Sequence, residues 1–244
     1  MHPVLVPAVI VGGTAVSYLL AILIGVPALV PFLNVAPAFP FMIASLRRGR
    51  VAEAIGRMLI WAAALAVCAT TISYLAPAEA GGLFLRGESY RREMFEFLLS
   101  GSGPEGNIRL FLPQHLAHAA VFCALAAATG SLLAMPLGAL LMNYMSYYVG
   151  ALGAASAHPW KAMALAWVPW AVIRIAGFVA LGVVLGGPVL ARILRFEYRL
   201  RAQLRWVAQL RWVALAGTAL LVDVLLKWAL APSWREMIRN AAGW

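Results

Sequence analysis

Residues 113–157 read PQHLAHAAVFCALAAATGSLLAMPLGALLMNYMSYYVGALGAASA, 45 positions without one Asp, Glu, Lys or Arg. About 20 apolar residues suffice for a helix to cross roughly 30 Å of hydrocarbon, so this stretch can cross a membrane twice. The flanks decide whether it does. Upstream lies Leu46-Arg47-Arg48-Gly49-Arg50, followed by Arg57. Downstream lie Arg192, Arg195, Arg199, Arg201, Arg205 and Arg211, offset only by Glu197. Lys and Arg accumulate in cytoplasmic loops, so both basic runs are expected on the cytoplasmic side. The apolar stretch from Met58 leaves that side and Ala162–Val189 supplies one return. An odd number of crossings must then lie between Pro113 and Val189, which requires residues 113–157 to form a helical hairpin. Its turn falls near Thr129-Gly130 or Met135-Pro136-Leu137-Gly138.

The composition supports the membrane setting. Of 244 residues, 64% are hydrophobic and 11% charged, with a mean hydropathy of +0.87. Soluble domains carry roughly 25% charged residues. The apolar runs do not alternate as the strands of a transmembrane barrel do, so the predicted fold class is all-α, a polytopic transmembrane helical bundle forming one integral membrane domain. The net charge of +10 is explained by basic cytoplasmic loops, and nucleic acid is not expected as a partner. Cys68 and Cys123 sit inside apolar runs, where they make no spaced pair for a metal or a disulfide framework.

Working outward, residues 3–45 hold two crossings, or one crossing and a re-entrant segment. Pro27, Pro31, Pro37, Pro40 and Asn34 crowd the second half, and proline removes an amide donor. The total is therefore seven crossings or six. No basic region precedes Pro3, so a retained segment is expected rather than a cleaved signal peptide. Residues 58–76 form a helix. Residues 78–112, with four Arg and five Glu, form an extracytoplasmic loop carrying an interfacial helix over Glu88–Leu99. Helices follow at 162–189 and 212–231, joined by a basic cytoplasmic segment over 190–211. The setting is a bacterial-type cytoplasmic (inner) membrane.

Within the basic segment, Gln203–Ala208 is repeated as Gln209–Ala214. On one helix this places Arg and Trp on successive turns at the interface. Arg199, Arg205, Arg211, Trp206 and Trp212 are thus expected to meet anionic lipid headgroups, and bound lipid is expected.

Ionisable residues inside hydrocarbon are expensive and are functional candidates by default. Arg174 and Asp223, the sole aspartate, each lie about twelve residues into an expected helix. They can neutralise each other, while Lys227 offers Asp223 a local partner at i,i+4. Asn143 lies among Gly130, Gly138, Gly150, Gly153, Tyr144, Tyr147 and Tyr148, a pattern that suits a close packing seam or the lining of a polar cavity. His115 and His118, spaced i,i+3, can offer two imidazoles to one copper or zinc ion, though a full site needs further ligands. No other cofactor is expected. There is no Gly-x-Ser-x-Gly elbow and no Walker loop, and no catalytic residue is expected.

The Gly-rich hairpin with its central asparagine (Gly130, Gly138, Asn143, Gly150), together with Pro169-Trp170-Ala171-Val172-Ile173-Arg174 and Ala176-Gly177, resembles the stage II sporulation protein M-like membrane family. Trp170 and Arg174 stand where that family has histidine and glutamate. The resemblance implies a non-catalytic membrane component of a larger assembly. Three functions remain open: a non-catalytic subunit or permease-like component working with other membrane subunits; a stand-alone transporter or channel using Arg174 and Asp223; and a redox subunit holding a metal at His115 and His118.

Overall fold

A computed structural model describes residues 5–244 and contains helices and turns but no strand among them. His2 and Pro3, the start of the first expected stretch, lie outside the described residues. Among the described residues six segments are long and apolar enough to cross a membrane: Leu5–Ile24, Pro27–Leu46, Val51–Leu75, Ile108–Thr129, Pro169–Ile193 and Trp206–Ala242. The chain is an all-α, multi-pass membrane protein.

Helix α1 (Leu5–Ile24) is followed by a broken return, in which a 3-10 turn (Pro27–Leu29), α2 (Val30–Val35) and α3 (Phe39–Leu46) succeed one another. The prolines place the breaks. Asn34's carbonyl, left without its usual helical donor, accepts the Trp61 indole N–H at 2.7 Å. Backbone groups freed in lipid need such partners.

α4 (Val51–Leu75) and α8 (Ala134–Ala154) form the centre of the bundle and run parallel. Asn143 lies level with Leu65, since Tyr18 reaches both, and Gly150 lies level with Thr70–Tyr74. A Cβ on Gly150 would stand 2.5 Å from Ser73 Cβ and 2.6 Å from Thr70 O. At Gly150, therefore, α8 packs closely on α4. Beside this contact, between α8, α1 and α2, Tyr18 Oη donates to Asn143 Oδ1 (2.6 Å), Asn143 Nδ2 to Asn34 Oδ1 (2.9 Å), and Asn34 Nδ2 to Ser17 Oγ (3.0 Å). Asn143 thus joins three segments in the core.

α5 (Pro77–Leu83) and α6 (Gly87–Ser100) lie across one end, with α6 against α8. α7 (Ile108–Thr129) then descends and α8 ascends, so residues 113–157 are the hairpin that charge parity demands. The turn is at Gly130, whose φ of +62° suits a residue without Cβ. Asn143 and the tyrosines lower the hydropathy of α8, which explains why this central helix stands apart from the six most apolar segments.

The expected single helix over Ala162–Val189 is instead two, α9 (Pro159–Ala166) and α10 (Pro169–Ile193). Val168, before Pro169, is extended at φ −59°, ψ 140°, as a residue preceding proline prefers. Arg174 consequently lies in the second turn of α10 rather than deep inside a longer helix. α11 (Tyr198–Gln203) and a 3-10 turn (Trp206–Gln209) lead into α12 (Leu210–Ala242).

α12 also departs from expectation, because it passes through Pro232 and ends at Gly243, φ +81°. Packing on α9 and α6 carries it onward: Trp234 Nε1 donates to Leu165 O at 2.7 Å, and Arg235 Nε and Nη2 bond the Phe97, Leu98 and Leu99 carbonyls. The repeat 203–214 is not one helix either. Buried Leu204 and extended Arg205 (ψ 145°) break its first copy, while its second opens α12. Identical hexamers adopt different conformations because tertiary contacts outweigh propensity.

The two basic regions meet at the same end of the bundle. Arg47 lies over the Phe196 ring at 5.5 Å, and Gln203 and Leu200 close on Gly49. Arg199, Arg205, Arg211 and Trp206 are exposed there, and Arg211 covers the half-buried Trp212 at 5.5 Å.

Candidate functional site

Arg174 and Asp223 are brought together. Arg174 Nε and Nη2 donate to Asp223 Oδ2 and Oδ1, both at 2.8 Å, so one guanidinium edge grips one carboxylate. Asp223 is fully buried. The planar fork matches a carboxylate, and each charge supplies what the other lost on leaving water.

Lys227 does not take the role expected of it. With both Asp223 oxygens engaged by Arg174, its ammonium lies 2.8 Å from Glu105 Oε1 and 3.4 Å from the Phe111 ring centroid. Its contact with Glu105 is an ion pair rather than a well-directed hydrogen bond. Phe111 also faces Arg174, at 5.0 Å, so one aromatic ring interacts with buried Lys227 and with partly exposed Arg174.

His115 is buried. It stacks on Phe111 at 5.1 Å, and its Nε2 is 3.6 Å from Asp223 Oδ2, beyond hydrogen-bond length. His118 is half-buried one turn deeper. No three His, Cys, Asp or Glu side chains gather as a metal-holding group among the described residues.

Arg174, Glu105, Phe111, His115 and His118 border a cavity of about 130 Å³, with Asp223 and Lys227 behind them. α7 supplies His115, His118 and Phe122 on one side, and α8 supplies Gly138, Met142 and Tyr144 on the other. Arg174 and Phe178 of α10 and Trp61 of α4 close the back. Tyr90 and Glu93 of α6, with Glu105, form the roof. Polarity is graded along its depth: charges and hydroxyls lie near α6, and aromatic and Met side chains near the hairpin turn. The open 24% of Arg174's side chain borders this space.

The electrostatics of the roof follow from burial. Glu93 makes no ion pair among the described residues, and burial, then the Glu105 charge, push its carboxyl above the usual range. Glu88 shows the opposite behaviour. The hydrogen bond from Arg91 holds it low, aided by one from Tyr147 Oη at 3.0 Å. That contact ties α6 to α8.

Glu93, Glu105, Arg86 and Tyr90 were not singled out from sequence. A signal was present in α6, since Tyr90, Met94 and Phe97 define its inward stripe and Glu93 falls within it. Nothing local, by contrast, ties Glu105 to Lys227 across more than a hundred residues. Asn143 lies in the core seam, away from the cavity, whereas its neighbour Tyr144 faces it. No known family model, curated protein or solved structure matches the chain.

Proposed function

We propose that this protein is a non-catalytic, permease-like component of a bacterial-type cytoplasmic membrane, with its basic end in the cytoplasm and its cavity holding a small solute. One observation carries the reading: a cavity inside the bundle is walled by Arg174, whose countercharge comes from a different helix. Intramembrane charges that face an internal cavity mark solute paths. The lining supplies charges, rings and thioethers, which are groups that bind. The resemblance of the hairpin region to a non-catalytic membrane family agrees with this role, and the charged segment around α6 offers a docking surface to other membrane subunits.

The reading requires the cavity to be reached from both faces of the membrane. Tyr144→Cys, placed in a Cys68→Ala/Cys123→Ala background and reconstituted into vesicles of one orientation, tests this with a membrane-impermeant maleimide. Labelling of the single introduced thiol from outside and from inside supports a permease. Labelling from one face only, or from neither, overturns it. Copurification in mild detergent tests the assembly: stoichiometric partners support a subunit role, and a clean monomer removes it.

A further inference from the structure

We propose that the cavity recognises a zwitterion, with an oxyanion held by Arg174 and Arg86 and an ammonium held by Glu93 beside Tyr90 and Tyr144. This names a ligand class for the proposed solute site and rests on that reading.

The charged side chains that line the cavity are Arg86, Arg174, Glu93 and Glu105, two of each sign. Behind them Asp223 and Lys227 add one of each. A lone anion or a lone cation would upset this balance, whereas a molecule carrying both charges preserves it.

Asp223 occupies Arg174 Nε and Nη2, leaving Nη1 without a protein partner among the described residues. Arg86 lines the same space and makes no ion pair there. Lys227 holds Glu105, but among the described residues no cation holds Glu93. Beside Glu93, the Tyr90 and Tyr144 rings lie 4.6 Å apart, tilted by 44°. A carboxylate next to aromatic faces suits an ammonium, and a guanidinium edge suits phosphate or carboxylate.

An apolar cavity of roughly 150 Å³ holds benzene, so about 130 Å³ accepts a group of about that size, such as the charged end of a larger molecule, rather than a whole lipid. Below the charges, Phe122, Phe178 and Met135 accept a short apolar portion. α7 packs chiefly on α10 and meets α8 near their shared turn, where Phe122 lies 3.5 Å from where a Gly138 Cβ would be. Above that contact both helices line the cavity, so a lipid headgroup entering between them and a soluble zwitterion are the two sources to distinguish.

The test uses the full chain in nanodiscs of phosphatidylglycerol, which supply no zwitterion. Glycerophosphoethanolamine is titrated and binding is followed by thermal stabilisation, with glycerol phosphate and ethylamine as single-charge probes. Binding of the zwitterion at least about tenfold tighter than either single-charge probe is expected. Glu93→Gln should weaken it by about tenfold, the scale of one charge-assisted contact, while exposed Glu79→Gln should not. Glu93 has no ion pair to break, so this variant retains the fold.

In nanodiscs that add phosphatidylethanolamine, native mass spectrometry reads the lipid source. Retained phosphatidylethanolamine that is lost in Glu93→Gln, without binding of the soluble probe, assigns the ligand to lipid. Binding of the soluble probe assigns it to a free zwitterion. Neither result, or equal binding of glycerol phosphate, overturns the proposal. Two-sided labelling of the Tyr144→Cys variant, with no zwitterion bound by the wild-type chain, would remove this inference alone, and wild-type binding with one-sided labelling would remove only the permease.

Discussion

Arg174 and Asp223 are joined by two hydrogen bonds of 2.8 Å that link α10 to α12. Asp223 has no access to solvent, so this contact decides whether α12 can carry a carboxylate at mid-helix. Removing one partner of a buried pair costs about 3–5 kcal/mol, whereas replacing both with apolar residues is often nearly neutral. Arg174→Ala and Asp223→Ala should each lower the unfolding temperature in detergent sharply. The double variant Arg174→Met/Asp223→Leu should recover most of the loss. A double variant as unstable as the singles would show that the charges do more than cancel each other.

Glu105 and Lys227 form a second tie, between α12 and the loop before α7. Arg235 adds to it through the carbonyls of Phe97, Leu98 and Leu99 at the end of α6. Lys227→Gln should therefore free the roof while the helices stay packed. Faster amide hydrogen exchange over Gly103–Asn107, with unchanged exchange in α4 and α8, is the expected result. Uniformly faster exchange would instead mean that Lys227 stabilises the whole bundle.

These two ties mark what the sequence can reveal. The hairpin at 113–157 was legible because hydropathy and charge parity are properties of whole segments, which later packing does not alter. Arg174 and Asp223 were legible as a pair because few charges lie in apolar runs and opposite ones must meet. The helix ends were less legible. Pro169 starts α10, whereas Pro232 is absorbed within α12, and the difference lies in what packs beside each proline. The partner of Lys227 was misread because i,i+4 spacing is local information, while Arg174 had already filled Asp223 from another helix. The roof of the cavity was missed because its members come from the turn before α6, from α6 and from a loop that only the fold assembles.

Gly150 offers a test of the seam. Its missing Cβ admits Ser73 and the Thr70 carbonyl at 2.5 and 2.6 Å, and a backbone carbonyl cannot rotate away as a flexible side chain can. Gly150→Ala should force α8 from α4 at a cost of about 1–3 kcal/mol, the usual range for overpacking. Gly12→Ala, where an added Cβ meets nothing within 4 Å, serves as the control in the same thermal unfolding assay. Equal stability of the two variants would show that the α4–α8 contact yields easily.

Charge parity places Arg199 and Arg47 on one side of the membrane, and the packing of Arg47 on Phe196 agrees with that. A reporter fused at Arg199 should read as cytoplasmic, and one in the Gly101–Gly106 loop as extracytoplasmic. The opposite pair of readings would invert the assignment of faces while keeping the bundle. Both reporters on one side would break the helix count itself.

Glu93 makes the ligand proposal pH-dependent, and it does so with two opposite signs. Its carboxyl is raised by burial first and then by Glu105 and Glu96, against the opposing charges of Arg86 and Lys227. A carboxyl raised in the folded state binds its proton more readily there than in the unfolded chain. Its contribution to stability is therefore fullest below the unfolded value and declines as pH rises through the folded one. Binding of an ammonium needs the ionised form, so affinity must fall as pH drops through that same raised value. Across the window just above the ordinary carboxylate range, the ligand-free protein should gain stability on acidification while losing affinity for glycerophosphoethanolamine. Other groups titrate as well, Glu88 with the opposite sign because it is held low, so the quantity to measure is the difference between wild type and Glu93→Gln. That difference should change with pH in both unfolding temperature and affinity. A difference independent of pH in both would remove Glu93 as the ammonium's partner.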